Sequence, residues 1–195
     1  MIATNRFDPV FDCQKVFKSL MNAMARPGTA FSIAESVDKL NTPKAHVVAT
    51  ARTLLDNHCR FFVWNDAVLT EEIRELTYAE PASPEEADYL FVPRAADAAD
   101  AVALLSRAKT GTLTQPHRSA TLFVAQEQLA GDEEVVLSGP GVNGEIALSL
   151  PASGMAWLRA RQDANVELPC GVELYFVTPD GQIVCVPRKT NVEEA

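Results

Sequence analysis

Two apolar runs close this chain, residues 172–177 and 182–186, and Thr178-Pro179-Asp180-Gly181 lies between them. Proline presets the first corner of a tight turn, aspartate bonds its own backbone, and glycine accepts the left-handed conformation. The segment therefore reads as two β-strands folded back on each other, with Pro187-Arg188-Lys189-Thr190 as a short basic tail beyond them. A hairpin this apolar belongs to the antiparallel part of a larger sheet.

Upstream of the hairpin, helical and strand patterns alternate. Residues 8–26 predict an amphipathic helix. Val16, Phe17, Leu20, Met21 and Met24 form its apolar stripe, and Lys15, Lys18 and Asn22 take the other face. Arg26-Pro27-Gly28 ends it, because proline disfavours helix at the residue before it and glycine permits the reversal. A short strand over 29–33 follows. Thr42-Pro43 predicts a helix start, with threonine as cap, running to about Asn57. Further strands are expected over 61–64, 89–92, 120–125, 135–137 and 146–150, and helices over 69–78, 97–109 and 153–163. Residues 80–87 read as a loop, and Ser138-Gly139-Pro140-Gly141 opens a turn. Alternating elements followed by successive strands predict an α/β fold: a single domain over 1–195, with a mixed β-sheet and flanking helices.

The formal net charge of −9 argues against bulk nucleic-acid binding, although a local basic pocket can oppose the global sign. Residues 1–9 contain no basic run followed by an apolar core, so no secretory leader is expected. No apolar run approaches the ~18 residues of a membrane span. The four cysteines, Cys13, Cys59, Cys170 and Cys185, are widely scattered, which fits reduced thiols in the cytoplasm.

No complete catalytic constellation is legible. His46, His58 and His117 show no metal-ligand spacing with each other or with the cysteines, so no metal is expected. A cysteine nucleophile with a histidine base remains a reading, with Cys170 in its Pro-Cys-Gly turn as the residue to test. The paired carboxylates Glu71-Glu72, Glu85-Glu86 and Glu133-Glu134 read as solvated charge. The Ser138–Gly141 turn has two readings, an anion cradle of backbone N–H groups or a plain reversal. The tail also has two. It is either a solvated terminus or a contact surface in which Arg188 grips a carboxylate or phosphate in two places.

Four blocks carry a family resemblance. They are Val16 through Ala25-Arg26-Pro27-Gly28-Thr29; Gly111-Thr112 followed by Pro116 to Val124; Leu137-Ser138-Gly139-Pro140-Gly141-Val142; and Pro169-Cys170-Gly171-Val172-Glu173-Leu174 through Val186-Pro187-Arg188-Lys189-Thr190 to Glu193. In order and spacing the chain resembles PhnH, a subunit family of the bacterial carbon–phosphorus lyase core complex. Lys189, Glu173 and Cys170 depart from the family's usual residues, and 60–105 carries little of the pattern. The resemblance implies a fold like the large domain of pyridoxal-phosphate-dependent transferases without the cofactor, and hence no cofactor. It implies a homodimer that assembles with PhnG, PhnI and PhnJ. It also implies a role, with PhnG, PhnI and PhnL, in transferring the ribose triphosphate of ATP to a phosphonate with release of adenine. The catalytic residues are unknown on this reading. Arg26, Arg188, Lys189 and Thr190 become candidate partner or anion contacts. Pro27, Gly28, Gly139, Pro140, Gly141 and Gly171 become turns that shape the surface. The other readings are a stand-alone hydrolase or transferase using Cys170 or a histidine, and a scaffold with no phosphonate role.

Overall fold

The computed structural model describes residues 6–94 and 96–194. Most of the stretch read for a secretory leader, 1–5, lies outside the described residues. In chain order the elements are α1 (Phe11–Ala25), β1 (Phe31–Ser32), α2 (Ala34–Val37), α3 (Ala45–Leu54), β2 (Arg60–Val63), α4 (Ala67–Thr77), β3 (Glu80–Pro81), β4 (Tyr89–Val92), α5 (Ala98–Leu105), β5 (Thr121–Ala125), β6 (Glu133–Ser138), β7 (Glu145–Leu150), α6 (Ala152–Ala164), β8 (Glu173–Val177), β9 (Gln182–Val186) and β10 (Asn191–Glu194).

The expected hairpin is β8–β9, paired antiparallel with Tyr175 opposite Cys185 and Phe176 opposite Val184. Thr178 closes its turn: its hydroxyl accepts the Gln182 N–H at 2.9 Å and its carbonyl accepts the Gly181 N–H at 2.9 Å. The hairpin joins a seven-stranded sheet of order β1-β9-β8-β5-β4-β2-β3. Strands β2, β3, β4, β5 and β8 run parallel, and β9 is antiparallel to both its neighbours. Parallel strands need cover on both faces. Helices α1 to α4 cover one face, over Phe61, Phe91, Phe123, Tyr175 and Cys185. On the other, α5, α6 and a small antiparallel sheet of order β10-β6-β7 enclose Leu90, Leu122, Leu174 and Trp157. Phe91, Phe123 and Tyr175 stack across three strands at 5.4 and 4.8 Å between ring centres. The mixed sheet with flanking helices is as the sequence predicts.

Several local expectations are corrected. Thr42 does not cap α3, which begins at Ala45. Its hydroxyl donates instead to Glu72 at 3.2 Å. Residues 80–81 of the expected loop pair with β2 as β3. The basic tail does not run free, because β10 pairs with β6 from Asn191 opposite Ser138 to Glu194 opposite Val135. On α1, the buried face is Asp12, Val16, Leu20 and Ala23, whereas Phe17, Met21 and Met24 are 47, 53 and 38% exposed. Both faces are apolar and lie one residue apart around the helix, so periodicity alone does not choose between them.

His46 on α3 is 4% exposed, and burial together with Lys44 pushes its pKa down from 6.5 to about 4. The ring is neutral in the fold and takes a proton more readily when unfolded. Its contribution to stability is therefore complete above the unfolded value and is lost as pH falls from 6.5 toward 4, by up to ~3 kcal/mol. Denaturant unfolding of His46→Gln should show a flatter loss of stability across that window than the parent. Equal slopes would contradict the assignment.

Candidate functional site

Three turns that are far apart in sequence meet at one place. The turn after α1 is fixed by the Gly28 N–H, which donates to the Cys185 carbonyl at 3.1 Å, and by the Thr29 N–H, which donates to the Arg26 carbonyl at 3.1 Å. The turn between β6 and β7 packs against it. A Cβ on Gly141 would stand 2.8 Å from the Ala25 carbonyl oxygen and 2.9 Å from Pro27 Cδ. The third turn is Pro187 to Thr190, closed by the Thr190 N–H donating to the Pro187 carbonyl at 3.0 Å. A Cβ on Gly139 would stand 3.1 Å from the Lys189 carbonyl oxygen. Gly28, Gly139 and Gly141 all have positive φ, at 74, 111 and 87°. Here the backbones approach as closely as they do because no side chain intervenes. Arg26, Pro27, Gly28, Gly139, Pro140, Gly141, Lys189 and Thr190 thus form one joint.

Arg188 and Gly171 lie beside this joint, linked to it through Asn165. The Asn165 side-chain amide donates to the carbonyls of Val172 and Arg188 at 3.2 and 3.3 Å, and its oxygen accepts the Val172 N–H at 2.9 Å. A Cβ on Gly171 would meet Asn165 Cγ at 2.6 Å. The Arg188 guanidinium is engaged within the chain. Its Nε pairs with Glu173 Oε1 at 3.0 Å, and its Nη1 donates to the Pro116 carbonyl and to Ser119 Oγ. Glu173 also accepts the Arg188 backbone N–H at 2.6 Å. Arg188 therefore ties the start of β8 to the 3-10 turn Pro116–Arg118. Two cations of the joint face solvent, Arg26, which sits over the Phe31 ring at 5.3 Å, and Lys189. Thr190 is 4% exposed.

Beneath the third turn lies a residue that the sequence reading missed. Arg161 on α6 is 3% exposed and donates from Nη2 to the carbonyls of Pro187 and Thr190. Burial pushes its pKa down to about 10, partly offset by Glu173, so it stays a cation at neutral pH. The signal was in the spacing: Arg161 follows the buried Trp157 and Leu158 by four and three residues, on the inward face of the helix.

A cleft of about 870 Å³ opens between α5, α6 and the loop 110–114. Cys170 lies on its floor, 6% exposed, with Asp163 and Glu167 at its rim. No histidine lines it. His46 is buried on the opposite side of the sheet, and His58 and His117 face solvent. Burial raises the pKa of the Cys185 and Cys59 thiols, which leaves both protonated at neutral pH. Among the described residues no group of three or more His, Cys, Asp or Glu could hold a metal ion. The paired glutamates are tied to arginines at the surface, Glu71 to Arg74, Glu85 to Arg107 and Glu133 to Arg159.

This geometry gives Arg188 a structural load. Replacing it with alanine takes the guanidinium away from the Pro116 carbonyl and from the partly buried Glu173 carboxylate, which keeps the residue 188 backbone N–H, and this should cost about 2 kcal/mol. Chemical denaturation of Arg188→Ala checks this, and an unchanged midpoint would refute it.

Residues 5–193 match the family model described as bacterial phosphonate metabolism protein (PhnH). The chain is 29% identical over 195 residues to the alpha-D-ribose 1-methylphosphonate 5-triphosphate synthase subunit PhnH of Rhizobium meliloti (strain 1021), across 95% of this chain and 92% of that one. It is 25% identical over 180 residues to the putative C-P lyase subunit protein HtxG of Stutzerimonas stutzeri, across 92% of this chain and 85% of that one.

Proposed function

Because this chain belongs to the PhnH family, we propose that it is a subunit of a carbon–phosphorus lyase assembly. In that assembly it supports, with PhnG, PhnI and PhnL, the transfer of the ribose triphosphate of ATP to an alkylphosphonate with release of adenine. It acts by completing and holding the assembly rather than by supplying the reacting group. The observation that carries this reading is the family match over 5–193, nearly the whole chain, with a relative named as a subunit of a ribose 1-methylphosphonate 5-triphosphate synthase.

The joint supports the same division of labour. Its side chains include no histidine, cysteine or carboxylate, and its one hydroxyl, that of Thr190, is buried. It offers a rigid surface on which Arg26 and Lys189 face outward, suited to carboxylates or phosphates of a neighbouring subunit. Arg188, Gly171 and Thr190 hold that surface in place from within. The cleft with Cys170 lacks a histidine to activate the thiol, which favours the subunit reading over a stand-alone hydrolase. The same reading makes the fold a relative of the large domain of pyridoxal-phosphate-dependent transferases, used here without that cofactor. The chain works in the cytoplasm as a homodimer alongside PhnG, PhnI and PhnJ. No helix among the described residues is long and apolar enough to cross a membrane.

Co-purification tests the reading. A tagged chain produced together with PhnG-, PhnI- and PhnJ-like subunits should bring them down in fixed stoichiometry, and Lys189→Glu should weaken that recovery with the melting temperature unchanged. A tagged chain that elutes alone from such cells would remove the support.

A further inference from the structure

The cleft between α5 and α6 has apolar walls and an acidic rim. Val102, Leu113 and Val166 line it while 56, 60 and 79% exposed, and Leu105, Ala160 and Ala164 line it from deeper in the fold. Apolar side chains gathered around a concave surface of about 870 Å³ mark a place where another molecule sits. The loop that carries Leu113 is fixed by its backbone. The Gln115 N–H donates to the Thr112 carbonyl at 3.0 Å, and the Gly171 N–H donates to the Thr110 carbonyl at 2.8 Å. Leu113 is thus held outward on a bonded turn, and α5 and α6 pack on each other to form the remaining walls. A cleft formed before its occupant arrives lowers the cost of binding.

Charge narrows the choice of occupant. Among the described residues the charged side chains lining the cleft are Asp163 and Glu167, both exposed and neither with a basic partner. The basic residues beside the lining positions in sequence are committed elsewhere: Arg107 to Glu85, Lys109 to Asp88, and Arg159 to Glu133 and Glu194, while Arg161 is buried beneath the tail. Arg118 belongs to a neighbouring hollow that shares residues 110–112 with the cleft. Asp163 also lies in the last turn of α6, where the helix dipole is negative and favours a cation. Phosphonates and ATP are anions, so the cleft is ill suited to the substrates of the proposed assembly. It suits a partner that is apolar and positively charged. A groove bounded by two packed helices accepts a third helix along its length. We propose that the cleft docks an amphipathic helix of a neighbouring subunit. The apolar face of that helix packs on Leu105, Leu113 and Val166, and its lysine or arginine side chains meet Asp163 and Glu167. This rests on the reading of the chain as a subunit, and adds a contact opposite in charge to the face of Arg26 and Lys189.

Co-production of the tagged full chain with PhnG-, PhnI- and PhnJ-like subunits tests the proposal. Leu113→Asp should lower the recovery of one of them by roughly tenfold with the melting temperature unchanged, because Leu113 already faces solvent. Leu113→Met keeps the side chain apolar and should leave recovery near that of the parent. Asp163→Lys combined with Glu167→Lys should also lower it, and Asp163→Asn combined with Glu167→Gln should do so by a smaller factor. A photoreactive p-benzoylphenylalanine in place of Leu113 should crosslink the same subunit, at a helix with apolar residues and a lysine or arginine on one face. Undiminished recovery with either Leu113→Asp or the double lysine variant overturns the proposal and leaves the subunit reading standing. A crosslink to a second copy of this chain, or to an acidic or non-helical segment, overturns it as well. A parent chain that brings down none of these subunits removes the subunit reading itself, and this inference with it.

Discussion

Arg161→Ala should be among the most damaging single substitutions in this molecule, lowering stability by roughly 3–5 kcal/mol and the melting temperature by about 10 °C. The side chain is almost fully buried and ends on the carbonyls of Pro187 and Thr190. Truncation removes the Arg161 donor from both: the Pro187 carbonyl keeps the Thr190 N–H, while the Thr190 carbonyl loses its guanidinium partner, at a cost of about 1–3 kcal/mol. It also opens a cavity in the layer beneath the tail. Arg161→Met keeps most of the volume, so it separates the two causes: about half the loss should remain, and that half belongs to the lost guanidinium hydrogen bonds. Hydrogen exchange should localise the damage, with β10 losing protection while the β4–β5 pair keeps its own. A stable Arg161→Ala chain with β10 still protected would show that the buried arginine does not hold the tail.

Gly141→Ala is expected to cost about 3 kcal/mol. Part of that is conformational, since its φ of 87° is unfavourable for any residue with a Cβ, by roughly 1–2 kcal/mol. The rest is steric, because the added carbon would press on the Ala25 carbonyl and the Pro27 ring at under 3 Å. Gly144 on the same turn is the control. It has a φ of 80° but open space around its Cβ position, so Gly144→Ala should lose only the conformational part, about 1 kcal/mol. The difference between the two variants measures the closeness of the joint directly. Equal losses, read by urea unfolding, would mean that the turns after α1 and β6 do not bear on each other.

The parts of the fold that were legible in the sequence are those where one local signal decides. Tyr89–Val92 and Thr121–Ala125 are central parallel strands buried on both faces, so they read as unbroken apolar runs. The terminal hairpin is announced by Pro179-Asp180-Gly181. The helix start at Asp97 rests on its side chain, which accepts the N–H of Asp100, whereas α4 begins at Ala67 under an Asp66 cap, ahead of the expected start at residue 69. Elsewhere the sequence allows two answers and tertiary packing chooses. Phe17, Met21 and Met24 compete with Val16, Leu20 and Ala23 for the core, and the second set wins it. Strand β10 has only Val192 as an apolar residue, and its existence depends on the backbone edge that β6 offers.

For the candidate site, the sequence shows the pieces but not their meeting. Each glycine turn is visible locally. That Gly141 rests on Ala25 and Gly139 on Lys189 depends on the path of the whole chain. Arg161 escaped notice because a charged residue on a helix is ordinarily counted with the solvent face, although its spacing from Trp157 and Leu158 placed it inward. In sequence Arg188 is either a solvated tail residue or a cation able to grip a carboxylate or phosphate. Its partners Glu173, Pro116 and Ser119 become visible only in three dimensions.

The proposed role is that this chain completes a phosphonate-processing assembly without performing the chemistry itself. Adenine release from MgATP and methylphosphonate tests it most directly, measured with PhnG-, PhnI- and PhnL-like subunits in the presence and absence of this chain. Release is expected only from the full set, none from this chain alone, with the rate restored by adding it back. Release by the isolated chain, or undiminished release by the other subunits without it, would contradict that role.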